Sequence, residues 1–173
     1  VISYTGYDME DAMILNKSAY ERGFGYGTVY KSEAINLRDL VGGARASGAL
    51  PVHFGFGDDV RADDARRTQL DVDGLPFVGD LLTKGSPLYA AYNEATGRTI
   101  VKRYKGDEAA YVDTVRVIGS DAGDTECQRV QITFRVPRAP VIGDKFSSRH
   151  GQKGVCSQKW PAVDMPFSES GMQ

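Results

Sequence analysis

The apolar residues fall into short runs with a two-residue period far more often than into helical stripes. "QRVQITFRV" (128–136) alternates polar and apolar positions almost strictly, the pattern of a strand with one face buried and one in water. "TIVKRY", "AAYVDTVRVIG" and "CQRVQITFRV" read as three strands separated by the turns "KGDE" and "SDAGDTE". "VISYTGY" at the start reads as a strand ending at Gly6, "YGTVYKSEAINL" as another, and "GLPFVGDLLTKGSPLYAAYN" as a turn-punctuated β module. Helical signals are brief. Residues 9–14 predict a short helix or turn, and 17–22 a second helical turn. Ser18 is the expected N-cap, with Glu21 three residues on in a capping-box pattern, and Gly23 is the expected stop. "VPRAPVIGDKF" is expected to leave its strand through Pro137 and Pro140, since proline cannot donate to a central ladder. No repeat, coiled coil or low-complexity tract is present. The fold class is mostly β with short helices (α+β).

Composition narrows the function classes. At 173 residues, with 41% hydrophobic and 25% charged residues, the chain is long enough to bury a core. It suits one domain, or a small domain inserted in another. The formal net charge of −2 gives no global basic field to draw in nucleic acid, so an anion site has to be local. Cys127 and Cys156 form no CxxC pair and there are only two histidines, so no zinc site is expected. No apolar stretch approaches the roughly 20 residues of a membrane span, and no membrane partner is expected. The chain opens at Val1 inside an apolar run and stops at "FSESGMQ", and it reads as a piece of a longer polypeptide. Residues 38–74 are rich in Gly, Ala and Asp. Their aspartates lack the regularity of a calcium loop, and a solvated surface loop is the expectation.

Two clusters carry candidate chemistry. "GDKFSSRHGQKG" (143–154) packs Lys145, Arg149, His150 and Lys153 into twelve residues with three glycines. Between residues 131 and 160 six Lys or Arg stand against one acid, Asp144, a local charge of +5 in an acidic chain. Lysine ammonium groups bind phosphate oxygens without fixed geometry, and Arg149 adds a two-pronged contact. The stretch is not GxxxxGK[ST], so a nucleotide-triphosphate cradle of that kind is disfavoured. A charged, solvated hairpin is the competing reading. "GYDMEDAM" (6–13) places Asp8, Glu10 and Asp11 within four residues after a strand. Adjacent carboxylates suit a hard divalent cation that keeps most of its waters. Taken locally, however, acids at a helix N-terminus are the favoured reading. Carboxylates for metal and lysines for phosphate are the two halves of a phosphoryl-transfer site, and a fold would have to bring them together across about 135 residues of chain.

"SYTGYDMEDAMILNKSAYERG" with "PVIGDKFSSRHGQKGVCSQKWPAVDMPFSESGM" closely resembles the hybrid-binding region of the second-largest subunit of multisubunit DNA-dependent RNA polymerases. The forms "GYDMEDAM" and "VCSQKWPAVDMPFSESGM" look like eukaryotic polymerase I rather than II, whose counterpart reads more like "GYNQEDSM". The same subunit of polymerase III is the nearest competitor. The resemblance covers roughly residues 1–36 and 130–173. The middle resembles the family only in plan.

The resemblance implies a partial double-psi β-barrel built from 1–37 and 129–173, the second part truncated at its C-terminal end. A variable acidic, Gly-rich loop at 38–69 and an inserted barrel-sandwich hybrid module at 70–128 interrupt it. By the same resemblance Lys145 and Lys153 contact phosphates near the RNA 3′ end and the incoming nucleotide. Glu10 and Asp11 lie near a second, weakly or water-mediated Mg²⁺. Arg149, His150 and Gln152 support nucleic-acid binding. Asn16, Lys17 and Ser18 fall in the matched segment with no role assigned. The main catalytic Mg²⁺ is expected on the largest subunit, not on this chain. The implied partners are that subunit and the other polymerase subunits, template DNA, RNA product and NTPs, in the nucleus and nucleolus. The implied activity is nucleotidyl transfer by the assembled enzyme. The isolated piece is expected to be inactive and to fold poorly, because it ends inside a barrel. A non-catalytic β-barrel that binds nucleic-acid backbone is the alternative, and a purely structural module with both clusters solvated is a third reading. The separation of Glu10 and Asp11 from Lys145 and Lys153 in the fold discriminates the first two.

Overall fold

The computed structural model describes residues 3, 6–40, 52–61, 63–119 and 129–172, with the backbone alone at residue 66. The chain divides into two compact units, Val1–Gly27 with Pro137–Gln173, and Thr28–Val136. The described residues are mostly strand, as the two-residue period implies. None of their helices is long and apolar enough to cross a membrane.

The first unit is built on a three-stranded sheet in the order β1 (Ala12–Asn16), β10 (Lys153–Trp160), β9 (Lys145–Ser147). β1 runs parallel to β10, with Ala12 opposite Val155 and Asn16 opposite Trp160, and β9 closes antiparallel on β10. This corrects the expected helix or turn at 9–14. Residues 6–8 and 10–11 are turn, and from Ala12 the chain is strand. Ala, Met and Leu favour helix locally, but the β10 ladder and the burial of Leu15 at 4% exposure override that preference. A register shift between Met13 and Ile14 leaves Ser157 as an extra residue on β10, a bulge.

The helix α1 (Lys17–Glu21) follows β1 directly. Its cap is Asn16, not Ser18. The Asn16 side chain accepts from the N–H of Ser18 at 2.9 Å and of Ala19 at 3.3 Å. Asn16 wins because the strand delivers it in an extended conformation, φ −67° and ψ 118°, while Ser18 already lies inside the helix. Gly23, at φ +97°, returns its N–H to the Tyr20 carbonyl just beyond the helix end.

The second unit has two sheets. One has the order β2 (Gly27–Asn36), β8 (Arg129–Arg138), β7 (Ala110–Ile118), β4 (Leu81–Leu82). The other has the order β3 (Val52–Phe54), β5 (Pro87–Asn93), β6 (Arg98–Arg103). β8 alternates as its sequence predicts, burying Val130, Ile132, Phe134 and Val136. With Val112 of β7 and Leu88 and Tyr89 of β5 they make one apolar cluster. β2 is a strand as predicted, but nearly all of it is exposed, so its alternation does not mark a half-buried face. Contrary to the expectation for the prolines, β8 includes Pro137. That residue lies beyond the last pair with β7, Arg135 opposite Tyr111, where no donor is needed on that side. Asp59 of the acidic stretch accepts from the Thr99 N–H at 2.8 Å and its hydroxyl at 2.6 Å, tying that loop to β6, and α2 (Ala65–Thr68) follows. The readings placed on Val1, Ile2, Tyr4 and Thr5, on 41–51 and on 120–128 lie outside the described residues.

Candidate functional site

The parallel pairing of β1 with β10 puts the acidic turn against the basic hairpin. The turn closes with the Ala12 N–H donating to Met9 O at 3.1 Å. Glu10 and Asp11 have φ of 55° and 63°, and they are the only non-glycine residues with positive φ among those described. Two successive left-handed residues strain the chain by roughly 1–3 kcal/mol each, so their surroundings must hold them there. The holding contacts are visible. The Val155 N–H donates to the Asp11 carbonyl at 2.8 Å, and the Ser157 hydroxyl lies 2.7 Å from the Tyr7 carbonyl and 3.1 Å from that of Met13.

Lys145 pairs with Val155 across β9 and β10, and Lys153 pairs with Ser147. By strand alternation Lys145, Ser147, Lys153 and Val155 share one face, with the two lysines diagonal neighbours about 7–8 Å apart at the backbone. Ala12, Val155 and Lys145 form one row across the sheet, so the residue after Asp11 lies two strand spacings, about 10 Å, from Lys145. The loop between β9 and β10 is organised by Ser148. Its Oγ accepts from the N–H groups of His150 at 3.3 Å and Gln152 at 3.2 Å, and its N–H donates to Gln152 O at 2.8 Å. Arg149 and His150 stand exposed at the tip, and Gly151 adopts φ +87°. A cavity of about 450 Å³ opens here, lined by Asp8, Asp11, Phe146, Ser148, Gln152 and Lys153 among others. Glu10, Lys145, Arg149 and His150 do not line it.

The fold thus brings Asp11, Gln152 and Lys153 to one cavity, sets Lys145 one diagonal step away, leaves Glu10 exposed beside Asp11, and puts Arg149 and His150 at the hairpin tip. No ion pair engages the side chain of any of these seven among the described residues. Glu10 and Asp11 adjoin the cations without an ion pair to them. No group of three or more His, Cys, Asp or Glu among the described residues is arranged to hold a metal.

The other cations of the segment divide. Lys159 is spent internally, with Nζ 2.6 Å from the Pro140 carbonyl and 3.7 Å from the centre of the Tyr20 ring. Arg135 belongs to the second unit, 3.6 Å from Asp113 and over the Tyr111 ring. Two of the six cations are therefore engaged within the chain. Cys156 is buried, and that burial pushes its thiol pKa up, so it is a packing residue rather than a nucleophile. Sequence reasoning did not single out Ser148, Gly154, Ser157 or Phe146 as site-building. For Asp8 a signal existed, its place in the acidic triplet.

A family model described as RNA polymerase Rpb2, domain 6, matches residues 1–173, and the chain belongs to that family. Curated relatives that it matches over 99% or more of its length include RNA polymerase I subunits. It is 58% identical over 173 residues to "Probable DNA-directed RNA polymerase I subunit RPA2" of Schizosaccharomyces pombe, covering 100% of this chain and 14% of that protein. It is 51% identical over 174 residues to DNA-directed RNA polymerase I subunit RPA135 of Saccharomyces cerevisiae, covering 100% and 14%. To DNA-directed RNA polymerase I subunit RPA2 of Homo sapiens it is 52% identical over 173 residues, covering 99% and 14%. The chain spans about one seventh of the length of these relatives.

Proposed function

We propose that this chain forms part of the catalytic centre of an assembled DNA-directed RNA polymerase I, acting in nucleotidyl transfer in the nucleus and, within it, the nucleolus. Its partners are then the largest subunit and the other polymerase subunits, with template DNA, RNA and NTPs as ligands. The observation that carries the reading is the β1–β10 pairing, which places Glu10 and Asp11 beside the strand of Lys153 with neither set neutralised by the other. Lys145 and Lys153 grip phosphates at the RNA 3′ end and the incoming nucleotide. Arg149, His150 and Gln152 extend the contact along the backbone of the RNA–DNA hybrid, with no base preference. The barrel geometry of the family is the frame for these contacts.

Glu10 and Asp11 fit Mg²⁺ as a donor set. That ion takes one or two carboxylates, keeps several waters and accepts substrate phosphates, and both acids are exposed. When bound it supplies charge neutralisation at the nucleotide phosphates. The principal metal site belongs to the largest subunit, so this chain alone is inactive. What the lysines contribute is positioning and electrostatics, holding the RNA 3′ oxygen in line with the α-phosphate as pyrophosphate leaves. The relatives named above are polymerase I subunits, which favours that enzyme over polymerase III.

The test is single-nucleotide RNA extension by assembled polymerase carrying Lys145→Ala or Lys153→Ala, with retention on the nucleic-acid scaffold followed in parallel. Extension is expected to fall tenfold or more, about 1.4 kcal/mol, while the scaffold stays bound. Extension matching the wild type refutes the catalytic reading and leaves a backbone-binding module.

A further inference from the structure

We propose that Gly154 and Ser157 of β10 are positioning residues. They fix the acidic turn against the Lys153 strand, and so set the spacing at which the site holds a divalent cation beside nucleotide phosphates. The proposal rests on the reading above.

At Gly154 the need for glycine is space. Its φ lies outside the left-handed range, so a side chain there meets no backbone strain. A Cβ would instead stand 3.0 Å from the Asp11 carbonyl oxygen and 3.5 Å from Met13 Sδ. That carbonyl is the one that accepts from the Val155 N–H at 2.8 Å, so the missing Cβ is what lets the turn close onto β10. Ser157 holds the other side. It is the extra residue of the bulge, and its hydroxyl reaches the Tyr7 carbonyl across 150 residues of sequence. Between these two ties lie Glu10 and Asp11, in a conformation they adopt only under constraint. A displacement of the Asp11 carbonyl moves its carboxylate relative to Lys153, which lines the same cavity. Ser157 does not line that cavity and Gly154 brings no side chain to it, so both residues act through the acids.

The experiment uses assembled polymerase on a scaffold whose RNA lacks the 3′ hydroxyl, so that NTP binding is read without turnover while Mg²⁺ is titrated. The variants are Gly154→Ala, Gly154→Val and Ser157→Ala, with Asp11→Asn as reference. Ser157→Ala removes an atom and demands no space, so it carries the test if the glycine variants do not assemble. The Mg²⁺ concentration for half-maximal nucleotide binding is expected to rise about threefold or more for Gly154→Ala and Ser157→Ala, and further for Gly154→Val. Affinity at saturating Mg²⁺ and scaffold retention stay near wild type. If Asp11→Asn raises the Mg²⁺ requirement while Gly154→Ala and Ser157→Ala titrate with the wild type, the positioning proposal alone is overturned. It is overturned equally if those variants weaken binding by the same factor at every Mg²⁺ concentration, which is what general loosening would do. If Asp11→Asn itself titrates with the wild type, the metal role of the acidic turn is wrong and the proposal falls with it.

Discussion

Removing the Lys159 ammonium while keeping its stem isolates the contact that joins α1 to the turn leading into β9. Lys159→Met is close in length and keeps the apolar packing of the side chain. It deletes the 2.6 Å hydrogen bond to the carbonyl of Pro140, a buried residue, and the 3.7 Å contact with the Tyr20 ring. A hydrogen bond from a charged donor contributes about 1.5–3 kcal/mol, and a cation over an aromatic ring about 0.5–1 kcal/mol where water reaches it. Lys159 is half-buried, which favours the lower ends, so the local loss is about 2 kcal/mol. That corresponds to a rise of about 30-fold in the opening equilibrium of the segment. Hydrogen exchange by mass spectrometry on assembled polymerase reads it in peptides covering residues 17–26. There the N–H groups of Arg22, Gly23 and Phe24 bond back to Ser18, Ala19 and Tyr20. Peptides from β7 and β8 serve as the internal reference. Lys159→Arg, which keeps the charge over the ring, should recover part of the protection. Exchange in Lys159→Met within about threefold of wild type would refute the assignment of Lys159 to structure and return it to the pool of cations available to phosphate.

Two further outcomes follow from the same geometry. Asn16→Ala removes the side-chain cap of a five-residue helix and should cost about 1 kcal/mol, seen as faster exchange at Ser18 and Ala19, with Asn16→Asp restoring most of it. The Tyr89 phenol is buried, and that burial first, then Glu33 and Asp39, raise its pKa above the ordinary 10.0. The folded state therefore favours the neutral phenol. This contribution to stability is complete below pH 10 and declines as pH rises through the folded pKa, so alkaline titration should expose protected amides of β5, and Tyr89→Phe should remove that component.

β8 was legible because its burial follows its own alternation, with no help from elsewhere. β1 was not, because what makes 12–16 a strand is a ladder to residues 155–160, which no local window contains. The cap was misplaced by two residues for a related reason. Asn16 and Ser18 are both good caps, and only the end of the β1 ladder decides between them. At the site, the residue types were readable and their meeting was not. Acids at 8–11 and lysines at 145–153 become neighbours only through the parallel pairing; the family resemblance put both ends in one barrel without naming that pairing, and the spacing could not show it. Gly154 was visible as one of the three glycines of the basic stretch but not as a packing requirement, and Ser157 gave no signal, since one matters for the atom it lacks and the other for a bulge.

A lysine that is to hold an external phosphate has to be left without an internal partner, and a carboxylate that is to meet a metal has to be left likewise. In this unit the two requirements conflict, because unpaired opposite charges lie within a few residues of each other. Surface ion pairs contribute only about 0–1 kcal/mol, so pairing Lys153 with Asp11 would bring little stability and would block both groups. The arrangement avoids that choice by assigning structural work to other partners. Lys159 is held by a carbonyl and a ring, the acidic turn by backbone and a serine hydroxyl, and the hairpin loop by Ser148. None of these contacts consumes the side chains of Glu10, Asp11, Lys145 or Lys153. Left unpaired, Glu10, Asp11, Lys145 and Lys153 stay open to groups from outside the chain, which is the condition that the proposed nucleotide phosphate and its cation require.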